Sequence, residues 1–458
     1  MTNPTAGGER AMIVSADAHL SGHPEVYRPY MAAAYLPHLD ALVAEDREYV
    51  GYMAKVAAFP DDVLDVVDTD GAIRSGGVEG AQDVPRRLRE MDREGVAGEI
   101  MLHGTMFSTV PFFGIQNHAY PPDVRWAGIQ AYHRWAADCM AEAGGRLFAV
   151  ADPGPCLDMA ATLAEVAWMA DRGFRSISVP GVVFDPDLPP LMDPYYEPFW
   201  EACAERGIVL SVHAGHGRPQ GEFFEFMRGL IERMPDAGTD EIHAQLHLAD
   251  DAPFAFDVRP RQVLWQLMLG GVFDRHPGLR LAMTEVRGDW LPDTLAYLDR
   301  RFDAAGAPVE LKPSEYWRRN CFSALSFVHR SEIEMRSRIG VDTLMFGRDY
   351  PHIEGTWPNT VDWLRLAFDG VGADDARRIL GENAVRCYGL DRELFAAVAA
   401  EVGPPLDHLL GGADDVSPAI VANLDLRGGY GKPAEEVRVE LIARHVDRDL
   451  GLVAGAPA

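Results

Sequence analysis

YEPFWEACAERGIVLSVHAG, residues 196–215, holds a whole structural unit. Pro198 suits the first turn of a helix, and Gly207 suits its end, because glycine enters the left-handed conformation without steric cost. An apolar run, Ile208–Val212, follows at once and reads as a buried strand. His213 closes it. The same order recurs in RRLREMDREGVAGEIMLHG (86–104), with Leu88 and Met91 on one helix face, and in LAEVAWMADRGFRSISVPG (163–181), with Leu163, Val166, Ala167 and Ala170 on one face. DRHPGLRLAMTE (274–285) and SRIGVDTLMFGRD (337–349) repeat the turn and the strand.

Strands alternating with helices imply a parallel sheet covered on its outer side. The spacing predicts strands at 12–16, 98–102, 147–151, 175–179, 208–212, 279–284, 320–324 and 343–347. Eight of them favour a closed α/β barrel, the (β/α)8 TIM barrel, over an open doubly wound sheet. No glycine-rich dinucleotide fingerprint follows the first strand, which also counts against the open sheet. Long insertions near 20–83, 104–144 and 214–262 each follow a strand. They should therefore rise from the C-terminal face of the strands, where barrel active sites lie. Residues 1–390 are read as the barrel. Residues 391–458 are read as a C-terminal extension, rich in Gly and Pro over 403–432, with a short amphipathic helix near 434–448 that packs on the barrel or on a second subunit in a homo-oligomer.

Composition narrows the partners. The 458 residues are 47% hydrophobic, enough for a large core, and carry 70 Asp+Glu against 42 Lys+Arg, a net charge of −28. Such a surface repels phosphate backbones and anionic lipid, so neither nucleic acid nor membrane is expected as a partner; a small-molecule substrate is. The five cysteines, Cys139, Cys156, Cys203, Cys321 and Cys387, are widely spaced and form no CxxC, which fits a reducing, cytoplasmic setting. The first residues show no signal-peptide pattern, and the longest apolar stretch, LWQLMLGGVF, is too short to span a bilayer.

The chemistry gathers at strand ends. Residues two apart share a strand face, so Asp17 and His19 in IVSADAHL are expected in phase with Ile13 and Ser15. His213 should be in phase with Val209 and Ser211, Glu285 with Leu281 and Met283, and Asp349 with Met345 and Gly347. Each alone could be a turn cap, a core histidine or half of a salt bridge, Asp349 with Arg348 or Glu285 with Arg287. Together, carboxylates and imidazoles from strands one, five and eight suit a divalent metal with mixed oxygen and nitrogen ligands. His103, His216, Arg287 and His352 stand where a substrate would be bound. Aromatic residues of the insertions, among them Tyr27, Tyr30, Phe107, Phe112, Phe113 and Trp126, could wall a pocket or simply pack.

The ordered series SADAHLSGHPEVY, AYHRWAADCMAEAGGRLFAVADPG, GFRSISVPG, VHAG, LRLAMTEVRGDWLP, MFGRDYPHIEGTWP and ILGENAVRCYGL resembles the amidohydrolase-2 family, the metal-dependent barrels related to aminocarboxymuconate semialdehyde decarboxylase. The resemblance runs over residues 12–390. It implies one divalent ion, zinc in the first instance and manganese as the other choice, held by Asp17, His19, His213 and Asp349. Asp349, Glu285 and His213 are then the catalytic group. Where some members carry a catalytic histidine at the end of strand six, this chain has Glu285. Two reactions stay open: non-oxidative C–C cleavage of an aromatic or unsaturated carboxylic acid (a decarboxylase-type lyase), and hydrolysis of an amide, ester, lactone or C–C bond next to a carbonyl. A catalytically silent binding barrel is the third reading.

Overall fold

In a computed structural model, residues 8–56, 61–105, 108, 110–113, 120–181, 188–216, 229, 232–234, 259–352, 354–428 and 439–454 are described. Phe107 and most of the expected third insertion lie outside them. The eight strands are β1 (Ile13–Leu20), β2 (Val96–His103), β3 (Leu147–Ala151), β4 (Ser176–Ser178), β5 (Val209–His213), β6 (Leu281–Thr284), β7 (Cys321–Ser326) and β8 (Leu344–Gly347). Each pairs in parallel with the next, in the order β1 to β8. The ring closes through the exit of β8. The Arg348 and Asp349 N–H groups donate to Asp17 O at 3.2 and 2.9 Å, and the His19 N–H donates to Tyr350 O at 2.7 Å. This is the (β/α)8 barrel expected from the alternation of elements.

The opening unit folds as its sequence predicts. Helix Glu197–Arg206 has Pro198 in its first turn and ends at Gly207, whose φ of 65° is the left-handed value that glycine supplies. Helix Met159–Asp171 departs from expectation by a rotation. Its buried residues are Thr162, Glu165, Val166 and Met169, because Glu165 turns inward to pair with His133 and Arg134. Residues 122–142, placed within the second insertion by the sequence, form the long helix that links β2 to β3.

Two cores result. The larger lies between strands and surrounding helices; the smaller fills the ring with Val14, Ala16, Ile100, Val150, Val209, Ala282, Ala324 and Met345. Phe395, in helix Arg392–Val402, joins this inner core and presses on Gly98, where an added Cβ would lie 2.3 Å from the ring. Burying that ring stabilises the fold by roughly 2–3 kcal/mol. Helix Val439–Ala454 packs on the barrel flank: Asp449, fully buried, accepts hydrogen bonds from Gln262, Trp265 and Gln266 at 2.8, 2.9 and 3.1 Å. Among the described residues no helix is long and apolar enough to cross a membrane.

Candidate metal centre

The inner core shows which way each strand faces, and two expectations need correction. In β1 the inward residues are Val14 and Ala16, while Ile13 belongs to the outer core. The register with β2 shifts between Ser15 and Ala18, and this irregularity resets the phase so that Asp17 and His19 still reach the mouth. In β6 the inward residue is Ala282, whereas Leu281 and Met283 face the helices. Glu285 enters the site by another route, a left-handed backbone with φ 53°. Asp349 has φ 55°, although its strand phase with Met345 is as expected. Such conformations are costly for residues with a Cβ and concentrate where function holds them.

Asp17, His19, His213 and Glu285 bring one donor atom each within 4.8 Å of one another; His19, Asp349 and His352 do the same, as do Glu285, Asp349 and Glu354. His19 Nδ1 donates to Gly104 O at 2.8 Å, and His213 Nδ1 donates to Ala214 O at 2.8 Å. Those bonds set the tautomers and leave each Nε2 aimed at the centre. His19 Nε2 then faces Asp349 Oδ1 at 3.1 Å and Asp17 Oδ1 at 3.8 Å; His213 Nε2 faces Glu285 Oε2 at 2.9 Å and Asp17 Oδ1 at 3.9 Å. Asp17 Oδ1, both Asp349 oxygens, His19 Nε2 and His213 Nε2 are buried without a hydrogen-bond partner among the described residues. A lone pair held against a carboxylate oxygen repels it unless a proton or a cation lies between them. These residues therefore fit a divalent ion, and four such groups are costly to bury otherwise.

The electrostatics agree. Burial, then each carboxylate's neighbours, push Asp17 and Asp349 well above the ordinary carboxylate range. Burial and the facing imidazoles hold His19 well below the usual histidine value, hence neutral. Burial opposes the charged form of His213, but Glu285 and Asp17 outweigh it and raise the imidazole to about 10. The pocket draws positive charge to its centre.

His352 joins the cluster, stacked on His19 with ring centroids 4.0 Å apart and with Nδ1 3.0 Å from Asp349 Oδ1. Glu354, which the sequence reading missed, lies 4.0 Å beyond His352 and is pushed up to about 8 chiefly by burial. His216, His103 and Arg287 stand outside the donor groups. His216 sits in the turn after β5, its N–H on His213 O; Arg287 pairs with Asp289 at 2.9 Å rather than with Glu285. Arg348 does not form the alternative salt bridge with Asp349 either. It and Arg87, from helix Val84–Arg93, share the buried Glu99 at 2.5 and 2.7 Å. Arg87 also donates to His19 O at 2.8 Å, and both guanidiniums lie over the Tyr350 ring. This cluster laces the tips of β1 and β8, which carry three of the donors. No local pattern marks it, since Glu99 and Arg348 are 249 residues apart.

A closed parallel barrel with a carboxylate–imidazole cluster at its mouth is the plan of a barrel enzyme that works through a bound divalent ion. Comparison with known proteins gives the family: the amidohydrolase profile (Amidohydro_2) matches residues 79–390, and the chain belongs to this family, as an enzyme of the amidohydrolase superfamily. Gamma-resorcylate decarboxylase of Rhodococcus jostii (strain RHA1) is 27% identical over 205 residues, 43% of this chain; the match spans about half of that relative, 55% of its length. The crystal structure of 5-carboxyvanillate decarboxylase from Sphingomonas paucimobilis superposes with a TM-score of 0.55 at 20% identity, over 83% of this chain and 99% of that one. Dihydroxybenzoic acid decarboxylase from Polaromonas sp. JS666, with bound manganese and the inhibitor 2-nitroresorcinol, gives 0.52 at 17%, over 83% and 97%. At these identities the two structures speak for the fold.

Proposed function

We propose that this chain is a metal-dependent, non-oxidative decarboxylase of a small aromatic or unsaturated carboxylic acid. The observation that supports the reading is the buried cluster at the mouth, in which Asp17, His19, His213 and Glu285 bring their donors together and Asp349 meets the same cluster through His19 and Glu285. The named activities of the relatives support it. Asp17, His19, His213 and Asp349 would hold one divalent ion, which when bound supplies the positive charge that orients the substrate carboxylate and a neighbouring hydroxyl. Zinc is the proposed ion, since imidazole nitrogens and carboxylate oxygens are its ordinary donors; manganese, present in the Polaromonas structure, is the alternative that metal analysis would detect.

Asp349 is assigned the proton transfer. It places a proton on the carbon that bears the carboxylate; the bond to the carboxyl carbon then breaks, its electron pair returns to the unsaturated system, and CO2 leaves. One proton is consumed for each CO2 released. His352, 3.0 Å from Asp349, and Glu354, 4.0 Å from His352, are the titratable neighbours that would return that proton to Asp349. Glu285, 2.9 Å from His213 Nε2, would stand beside the ion as a general acid or base or hold the substrate. Five buried, unbridged cysteines support a reducing, cytoplasmic location. The test is turnover of hydroxybenzoic acids in D2O and in 18O-labelled water. CO2 release with one deuterium at the vacated carbon is expected. Incorporation of 18O into an acyl product, without CO2, would replace this reading with hydrolysis.

A further inference from the structure

The donors of the metal cluster come from the ends of β1, β5, β6 and β8, which leaves the arc of β2, β3 and β4 to other side chains. That arc carries His103, Asp152 and Ser178. His103 Nε2 lies 3.6 Å from Asp152 Oδ2 and 3.4 Å from Ser178 Oγ. Ile177 packs in the outer core, so Ser178 is on the inner face of β4.

Asp152 is fixed from behind. Its Oδ1 accepts the Gly154 N–H at 2.8 Å, and its own N–H donates to His133 Nε2 at 3.1 Å. His133 is fully buried and held through Nδ1 by Glu165 at 2.9 Å, and Glu165 is clamped by Arg134. None of these supporting residues belongs to the metal-donor groups. His133 and Glu165 are buried, whereas the side chains of His103 and Asp152 keep 19% and 22% of their surface exposed at the mouth. Phe113 and Tyr132 meet the His103 ring at 5.0 and 6.1 Å and wall it with apolar surface. A carboxylate, an imidazole and a hydroxyl, held rigidly against an aromatic wall and open toward the mouth, are placed to contact a ligand.

We propose that His103, Asp152 and Ser178 form a distal subsite for an uncharged hydroxyl on the ring edge remote from the reacting carboxylate. The substrate class is then a hydroxylated aromatic acid with such a hydroxyl, and Asp152 is a specificity-determining residue. The hydroxyl donates to Asp152, while Ser178 and His103 serve its lone pairs. A second carboxylate at that edge would meet the charge of Asp152 and be rejected. The inference rests on the reading of the metal centre as the site where the acid's carboxylate is bound.

The test is calorimetric titration of the zinc-loaded enzyme with 2-hydroxybenzoate, its 3-, 4- and 5-hydroxylated forms, and 4-carboxy-2-hydroxybenzoate, with CO2 release followed in parallel. A hydrogen bond to a charged acceptor corresponds to about 10–100-fold in affinity. One hydroxylated form should therefore bind that much more tightly than 2-hydroxybenzoate, and the dicarboxylate more weakly. Asp152→Asn should shrink the preference to within about threefold while metal content stays stoichiometric, and Ser178→Ala should reduce it in part. Absence of any preference, or a preference that survives in Asp152→Asn, would overturn the subsite. Preferential binding without CO2 release would support the subsite and remove the decarboxylase reading; CO2 release without preference would do the reverse.

Discussion

Glu99→Gln should unfold this protein more easily by several kcal/mol although Glu99 touches no proposed metal donor. Glu99, Arg87 and Arg348 are all fully buried, and the single carboxylate balances two guanidiniums at 2.7 and 2.5 Å. At an effective dielectric constant near 20, each pair contributes about 4 kcal/mol of attraction, and burial of the charges offsets much of it. Glutamine removes both attractions and restores none of the hydration, leaving two buried cations facing each other. Breaking such a cluster costs about 3–5 kcal/mol. With a urea slope of about 3 kcal/mol per M, the midpoint should fall by about 1–1.7 M. Acid sharpens the test. Burial pushes the Glu99 carboxyl up, but Arg348 and Arg87 outweigh it and hold the group below the ordinary range. A carboxyl with a depressed folded value contributes stability above its unfolded pKa of about 4.3 and loses it as pH falls through the folded value. The gap between wild type and variant should thus be constant from pH 5 to 8 and narrow below about pH 4. A loss under about 1 kcal/mol at pH 7, or a gap that widens on acidification, would refute the account.

Two further outcomes follow from the centre itself. Chelation should lower the thermal midpoint and zinc or manganese should restore it, by about 4 kcal/mol at a thousandfold excess over Kd; His213→Ala and Asp349→Asn should keep the wild-type circular dichroism, lose turnover and lose this metal-dependent shift, and a variant that kept the shift would contradict its assignment. Gly347→Ala should cost about 1–3 kcal/mol and deplete bound metal, because its Cβ would lie 2.6 Å from Asp17 Cβ and 2.9 Å from Ser326 Oγ, the hydroxyl that donates to Asp17; wild-type stability together with full metal content would show that the strands yield there.

Much of this was written locally. Helix stops at glycine and apolar runs of strand length depend on backbone hydrogen bonds and side-chain periodicity over a few residues, so the eight strands and the ring they form could be read from the chain. The residue types at the strand ends, Asp17, His19, His213, Glu285 and Asp349, were legible for the same reason. Their orientation was legible only in part. His213 and Asp349 follow the phase of their strands, but a register shift re-aims β1 and a positive φ turns Glu285 inward, neither of which an alternation rule anticipates. Glu99 between Arg87 and Arg348, Glu354 beside Glu285, and Asp152 beside His103 appear only when the ring closes. Local periodicity states which positions are buried; which charge each buried charge meets is decided by closure, because in a medium too dry to screen them the partners come from whatever distant strand lies alongside.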